Sequence, residues 1–420
     1  MEKPTVVISC PIDTYSGYGA RARDFVKALI NLNSYDIKIL SQRWGNTAFG
    51  YLDDHNEDEL SSLIIPNLTS QPDIWIQITV PNEFQKVGKY NIGVTAGIET
   101  TICDISWIEG CNRMDLVLTS SKHSKGVFEG TAYTKKDKAG NVVDTVKLNT
   151  KVEVLFEGVD LSKYFKTNST FNLDQIDEQF CFLFVGHWLQ GDFGEDRKNV
   201  SYLIKSFLET FKGKGPKPAL ILKTGIGTSS LMNTDIVLRK IDIIRKTVKG
   251  ALPNIYLIDG DLSDEDINHL YNHPKVKSMV SLTKGEGFGR PLLEFTLTAK
   301  PLITTNWSGH TDFLDPEFNI LVGGSLTKVH SSAVTKNVIL PDSQWFTPDD
   351  SEVNKVFKAV YKNYKKYLTG AKRQAYKTKS EYSFEQMQLL LEQILKENVP
   401  EIPKQVALNL PKIGALKLEL

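Results

Sequence analysis

The chain has 420 residues, 41% of them hydrophobic. That is too long for one ordinary core and implies two domains of roughly 150–200 residues. Lys and Arg total 50, as do Asp and Glu, so formal net charge is zero and no global field favours nucleic acid or a membrane surface. No apolar stretch approaches the roughly 20 residues that span a bilayer. The apolar run in the N-terminal MEKPTVVISC is too short for a signal peptide. The four cysteines, Cys10, Cys103, Cys111 and Cys181, are scattered without metal-ligand spacing. The expectation is a cytoplasmic protein with four reduced thiols and no metal.

In chain order, the first apolar runs are TVVISC (5–10), DIKIL (36–40), DIWIQI (73–78), NIGVT (91–95), LVLTS (116–120) and VEVLF (152–156). They lack clean alternation, which predicts strands covered on both faces. After the first run, Gly17 and Gly19 open a helical pattern carrying Phe25, Val26 and Leu29. A GxG there suits close approach to phosphate, although Ala22 stands where dinucleotide sites place a third glycine. Glu99 and Thr100 follow NIGVT. A carboxylate at a strand's C-terminal end can contact an acceptor or a sugar, or can cap a helix. Residues 133–150 predict a hairpin turning near Ala139, Gly140 and Asn141; it is either a solvated excursion or a contact for acceptor or partner. The polar, turn-rich segment 157–179 predicts the domain boundary.

A second series follows: CFLFVG (181–186), ALILKT (219–224), IYLID (255–259), SMVSLT (278–283) and LITT (302–305). Val200, Leu203, Ile204, Phe207, Leu208 and Phe211 recur at helical spacing, as do Val353, Val356, Phe357, Val360, Tyr361 and Tyr364. Ser263 with Asp266, and Ser383 with Gln386, form capping boxes. Strand–helix alternation in two series predicts two doubly wound parallel sheets. His187 follows CFLFVG at a strand end, facing the expected cleft. Arg197 and Lys198 precede the helix that begins near Val200; two cations there suit phosphate, or are a solvated helix start. His269 and His273 are four apart, but Pro274 ends that helix, and a surface role is expected.

The most informative stretch is GEGFGRPLLEF (285–295). It follows a predicted strand, and Pro291 suits a first helical turn because that position needs no N–H donor. Gly287 and Gly289 permit close backbone approach to a ligand. Free N–H groups at the helix start would then meet an anion. Glu286 and Glu294 bracket this site. They suit sugar hydroxyls on either side of a phosphate, so a ligand with sugar, diphosphate and ribose in a row would satisfy the arrangement. Taken alone, the stretch could equally be a strand–turn–helix with an exposed Glu294.

The ordered set resembles the retaining nucleotide-sugar glycosyltransferases of the GT-B fold, glycosyltransferase family 4. Glu286–Glu294 with seven residues between is the strongest element. AKPLITTNWSGHTDFLD, with Asp312 in the family acid's place, LFEGVDLSKYF and GDLSDEDINHLY follow the family's pattern. The resemblance implies an α/β GT-B architecture, with two Rossmann-like domains facing each other across a cleft: 1–172 on the acceptor side with the hairpin insertion, 173–380 for the donor, a helix 381–398 crossing back, and a tail 399–420. It implies that Glu286 contacts the transferred sugar and Glu294 the ribose. Arg197 and Lys198 would neutralise the diphosphate, with Gly17 and Gly19 approaching it from the first domain. Backbone groups of Gly287, Phe288, Gly289 and those near Leu292 would face sugar and phosphate, and Leu262 would meet the base. Many members carry arginine where His187 stands, and the first-domain histidine common in the family is not evident beside Glu99.

The expected reaction moves a hexose-type sugar from a nucleotide-diphosphate donor to a hydroxyl acceptor, glycan, lipid-linked or other, with retention and without cofactor or metal. The competing expectations are a GT-B sugar-nucleotide epimerase, a non-catalytic glycan- or nucleotide-sugar-binding relative, and a DNA-base glucosyltransferase, which zero net charge disfavours.

Overall fold

The computed structural model describes residues 3–227 and 230–401. The first sheet contains β1 (Thr5–Cys10), β2 (Asp36–Ser41), β3 (Ile74–Ile78), β4 (Tyr90–Thr95), β5 (Leu116–Thr119) and, beyond a hairpin of β6 (Ala132–Lys136) and β7 (Val142–Lys147), β8 (Lys151–Val154). Its order is β2-β1-β3-β4-β5-β8, parallel throughout. The second holds β9 (Cys181–Val185), β10 (Ala219–Lys223), β11 (Ile255–Ile258), β12 (Val276–Ser281), β13 (Leu302–Thr305) and β14 (Ile320–Val322). Its order is β11-β10-β9-β12-β13-β14, again parallel.

The helices explain why those strands read as unbroken apolar runs. The first half supplies α1 (Gly17–Leu32), α2 (Tyr51–Asp54), α3 (Asp58–Ser62), α4 (Ile105–Cys111) and α5 (Lys122–Gly130). The second supplies α6 (Val200–Phe211), α7 (Leu231–Thr247), α8 (Asp264–Asn272), α9 (Arg290–Thr296), α10 (Asp350–Lys362), α11 (Tyr364–Glu381) and α12 (Phe384–Asn398). Val6 and Ile8 face one core with α1, while Val7 faces another with α4 and α5. Phe182 and Phe184 pack with α6, α7 and α10 on one side of the second sheet. Cys181 and Leu183 pack with α8 and α9 on the other. Both faces are buried, so neither shows polar alternation.

Two local readings hold in detail. Ser263 Oγ accepts from the Asp266 N–H and Ser383 Oγ from the Gln386 N–H, so both predicted caps form. The predicted hairpin also forms, with Gly140 in the left-handed region at φ 87°. The edge strand β14 went unforeseen, as did a pair outside both main sheets, β15 (Gly324–Lys328) and β16 (Gln344–Pro348), which run antiparallel. The first of that pair, GSLTK, is mostly exposed and carries no apolar run.

α12 lies against the first domain, with Met387, Leu391, Ile394 and Leu395 in the same core as α1. Gly158 is needed at this crossing, because a Cβ there would come within 2.7 Å of Phe384 Cα. The three-proline tail lies mostly outside the described residues. All four cysteines are free and buried. Among the described residues no helix is long and apolar enough to cross a membrane, and no group of His, Cys, Asp and Glu could hold a metal ion.

Candidate active site

The loops at the carboxyl ends of both sheets meet between the domains, where open α/β sheets place their ligands. The turn joining β12 to α9 carries Glu286, which is only 6% exposed. Lys198 Nζ donates to both its oxygens, at 2.6 and 2.8 Å. Arg197 Nη1 donates to Glu286 Oε2 at 3.3 Å and to the Gly285 carbonyl at 2.7 Å. Arg197 Nη2 lies 3.5 Å from Oε1 of Glu99, at the end of β4 in the first domain. The local backbone dictates this geometry. Asn199 takes a left-handed conformation, φ 58°, at the start of α6. The Arg197 carbonyl accepts from the Lys284 N–H at 2.7 Å, which fixes the cation pair beside the turn.

Burial opposes ionisation of Glu286, but the Lys198 and Arg197 cations outweigh it and hold its pKa at about 2. Lys198 is pushed below its ordinary value by burial and by Arg197, against the pull of Glu286. With Glu99 the four groups sum to zero charge, so each is compensated within the cluster.

The glycine turn is crowded by the first domain. A Cβ on Gly285 would collide with the Glu99 carbonyl oxygen, and one on Gly287 would lie 2.5 Å from the Ala96 carbonyl oxygen. Ser120 Oγ donates to the Ala96 carbonyl at 2.6 Å and reaches the Gly287 carbonyl at 3.3 Å. These glycines therefore let the two domains touch through backbone. Gly289 has φ 100° and begins α9. The side chains of Phe288 and Leu292 are buried in the second core, Phe288 with its ring 5.0 Å from that of Phe313. What these positions can offer a ligand is backbone. The Leu292 N–H is already taken by the Gly289 carbonyl at 3.0 Å. Those of Gly287, Phe288 and Gly289 meet no acceptor among the described residues.

Glu294 also lies near the seam between the domains, joined to it through Arg290. It is 7% exposed, accepts from Arg290 Nε at 3.1 Å and from Tyr271 Oη at 3.3 Å, and sits on the α8–α9 side of the sheet. Burial raises its pKa to about 7, because Arg290 is shared with Asp24 at 2.6 Å and Glu157 at 3.8 Å and only partly offsets the cost. Arg290, Asp24, Tyr164 and Asp264 line an adjoining cavity of about 210 Å³.

On the opposite flank is a chamber of about 850 Å³, lined by Gly17 and Trp44 of the first domain and His187, Trp188, Gln190 and Asp261 of the second, among others. Gly17 is open to it, whereas Gly19 packs inward, where a Cβ would strike the Thr14 carbonyl. His187 is exposed at the chamber wall; loss of surrounding water, then Lys198 and Lys223, keep its pKa below the ordinary value. Leu262 is half-buried against the second core, next to Asp261.

The structure thus brings Glu286, Arg197, Lys198 and Glu99 into one cluster, and places Gly17 and His187 at the neighbouring chamber. Glu294 stands apart with Arg290. Several residues escaped the sequence reading. Ser308 Oγ accepts from the Glu286 N–H at 2.9 Å. His310, fully buried, bonds the Thr305 carbonyl at 2.6 Å beneath Gly289. Asp312, already named from the sequence, accepts from the Lys122 N–H at 2.7 Å, joining the domains again. Arg290 stood in the quoted stretch without a role; its charge at a helix start was the available signal.

No protein-family model matches the chain, and no curated protein does. Solved structures do. Sucrose-phosphate synthase from Thermosynechococcus elongatus is similar over 94% of this chain and 99% of its own, with a TM-score of 0.62 and 12% identity. A glycosyltransferase from Rickettsia africae covers 96% and 100%, with a TM-score of 0.61 and 12% identity. Anabaena HepE in complex with UDP-glucose covers 94% and 100%, with a TM-score of 0.60 and 12% identity. The fold is GT-B. At such identity the likeness is one of architecture. Within that GT-B frame the charged cluster and the large chamber both lie in the gap between the domains.

Proposed function

We propose that this GT-B protein transfers a hexose-type sugar from a nucleotide-diphosphate donor to a hydroxyl acceptor, retaining anomeric configuration and without a metal. The observation that supports it most is the Lys198–Glu286–Arg197 cluster between the domains, beside a turn with uncommitted backbone N–H groups. In the ligand-free protein Glu286 holds both cations. A bound diphosphate draws Lys198 and Arg197 to its oxygens, and the released carboxylate accepts hydroxyls of the sugar. The bond from the anomeric carbon to the phosphate oxygen breaks and one to the acceptor oxygen forms. The acceptor proton passes to the leaving diphosphate. Fixed cations and N–H groups stabilise the charge developing on that leaving group. Contact of the domains excludes water.

The test is incubation with uridine, guanosine and adenosine diphosphate sugars and a panel of hydroxyl acceptors, following release of nucleotide diphosphate and the anomeric proton of the product by NMR. Acceptor-dependent release with retained configuration is expected. An epimerised sugar formed from donor alone would replace this proposal with an epimerase. No turnover with any donor, together with tight nucleotide-sugar binding, would replace it with a binding role.

A further inference from the structure

The chamber of about 850 Å³ is lined by none of the four residues of the charged cluster. Its first-domain wall is aromatic. Trp44 stacks on Tyr18 with ring centroids 4.0 Å apart and an interplanar angle of 23°. Tyr18 is itself held: its hydroxyl accepts from the Ala96 N–H at 3.1 Å and bonds Thr95 Oγ1 at 2.9 Å. The loop carrying Trp44 is tied to the β1–α1 loop, since the Tyr15 N–H donates to the Ala48 carbonyl at 3.0 Å. Trp44 is thus a half-buried ring on a rigid backing, anchored to the same β4 end that carries Glu99. Across the chamber stands Trp188, capped by Lys240 Nζ 5.0 Å above its ring.

Charge narrows the occupant. Lys240 and Asp261 are the charged residues among the described lining and cancel, and His187 is held neutral near pH 7. Lys240 is engaged over the Trp188 ring, so the wall carries no net charge to favour a phosphate or carboxylate. Planar aromatic faces with amide side chains such as Asn46 suit the apolar C–H face and the hydroxyl edge of a pyranose. Position narrows it further. Glu294, which the family resemblance assigns to the donor ribose, lies on the α8–α9 side of the second sheet, whereas Trp188 and α7 belong to the α6–α7 side. A donor running from Glu286 toward Glu294 would meet this chamber at its Gly17 edge and leave the Trp44 wall free.

We propose that the chamber is the acceptor subsite of the transfer described above and takes an uncharged saccharide, one ring of which stacks on Trp44. This rests on the proposed glycosyl transfer, and its test separates the two. Saturation-transfer NMR and calorimetry on the full chain would use the methyl pyranosides of glucose, galactose, mannose and N-acetylglucosamine and their disaccharides. Glucose 6-phosphate would be the charged comparator, with uridine, guanosine and adenosine diphosphates as nucleotide probes. At least one neutral saccharide is expected to bind, at least tenfold more weakly to Trp44→Ala and within threefold of wild type to Trp44→Phe. Asn46→Ala, which leaves the Tyr18 stack in place, is expected to weaken it about threefold even if Trp44→Ala fails to fold. Nucleotide affinity should not change in these variants. The assignment is overturned if no neutral saccharide binds, if only the sugar phosphate binds, if binding ignores both positions, or if Trp44→Ala loses nucleotide instead, which would make Trp44 a platform for the base. Nucleotide binding that depends on Lys198 would leave the transferase proposal standing through any of those results, and its absence would count against that proposal alone.

Discussion

Arg290 Nη1 on α9 lies 2.6 Å from Asp24 Oδ2 on α1, an ion pair that joins the second domain to the first. The same guanidinium holds Glu294 through Nε and faces Glu157. Replacing Arg290 by Met removes the ion-pair partner of Asp24 and Glu294 and leaves Glu157 facing Arg21 alone. Removing one partner of such a set typically costs about 3 kcal/mol. Urea denaturation of Arg290→Met should show a loss of that order, and Asp24→Asn a smaller one. Equal stability of Arg290→Met and wild type would mean the pair is not structural.

Two carboxylates titrate in opposite directions, and stability should record both. Glu294 has its pKa raised to about 7, so the folded state binds its proton more tightly than the unfolded chain. Its contribution is present at low pH and is lost as pH rises from about 4.5 through 7, a span on the order of 3 kcal/mol. Glu286 is held at about 2, so its contribution is present above about 4.5 and is lost as pH falls toward 2. Glu294→Gln should flatten the decline in unfolding free energy between pH 5 and 7.5, measured by denaturant titration at each pH. An unchanged slope would show that Glu294 is ionised throughout that range.

Glu286→Gln should cut glycosyl transfer about a hundredfold, as loss of one fixed electrostatic contact at a reacting centre commonly does. Nucleotide affinity should largely survive, because Lys198 and Arg197 remain. Steady-state kinetics with calorimetry for nucleotide diphosphate separate the two effects. Wild-type turnover would remove Glu286 from the reaction.

Lys198→Ala should weaken binding of nucleotide diphosphate by about 2 kcal/mol, roughly thirtyfold, the usual worth of a charge-assisted hydrogen bond. Calorimetry at two ionic strengths would also show a shallower salt dependence in the variant. Unaltered affinity would place the phosphate elsewhere.

Gly287→Ala would put a methyl group 2.5 Å from the Ala96 carbonyl oxygen, backbone against backbone. The domains must then part, at a cost of about 1–3 kcal/mol. Small-angle scattering should report a larger radius of gyration, and the melting temperature should fall. Unchanged values of both would show that the contact yields without domain movement.

The loop sequences named most members of the site without showing how they combine. Glu286, Lys198, Arg197 and Glu99 each stood out beside a strand end, where a charged residue before a helix signals a ligand-facing position. That Lys198 holds Glu286 before any phosphate arrives was not visible, because the two are 88 residues apart and meet only when β9 and β12 lie side by side. The ribose role of Glu294 is what the family resemblance implies; that Tyr271 and Arg290 hold its carboxylate in the ligand-free protein depends on how α9 packs on α8, which spacing does not show. Trp44 sits in a loop with no periodic pattern and went unremarked, since a stacking platform is defined by what backs it.

The amino-acid order alone determined the two strand series, their parallel doubly buried character, the capped helices at Ser263 and Ser383, and the hairpin at Gly140. These follow from hydrophobic runs, helical periodicity and hydrogen bonds that close within a few residues. Only tertiary structure decided that Gly285 and Gly287 serve contact between the domains, that Arg290 pairs with Asp24 across 266 residues, and that a neutral chamber opens beside the charged cluster. Each of those is a relation between surfaces of two separately folded sheets, and no local interaction specifies it.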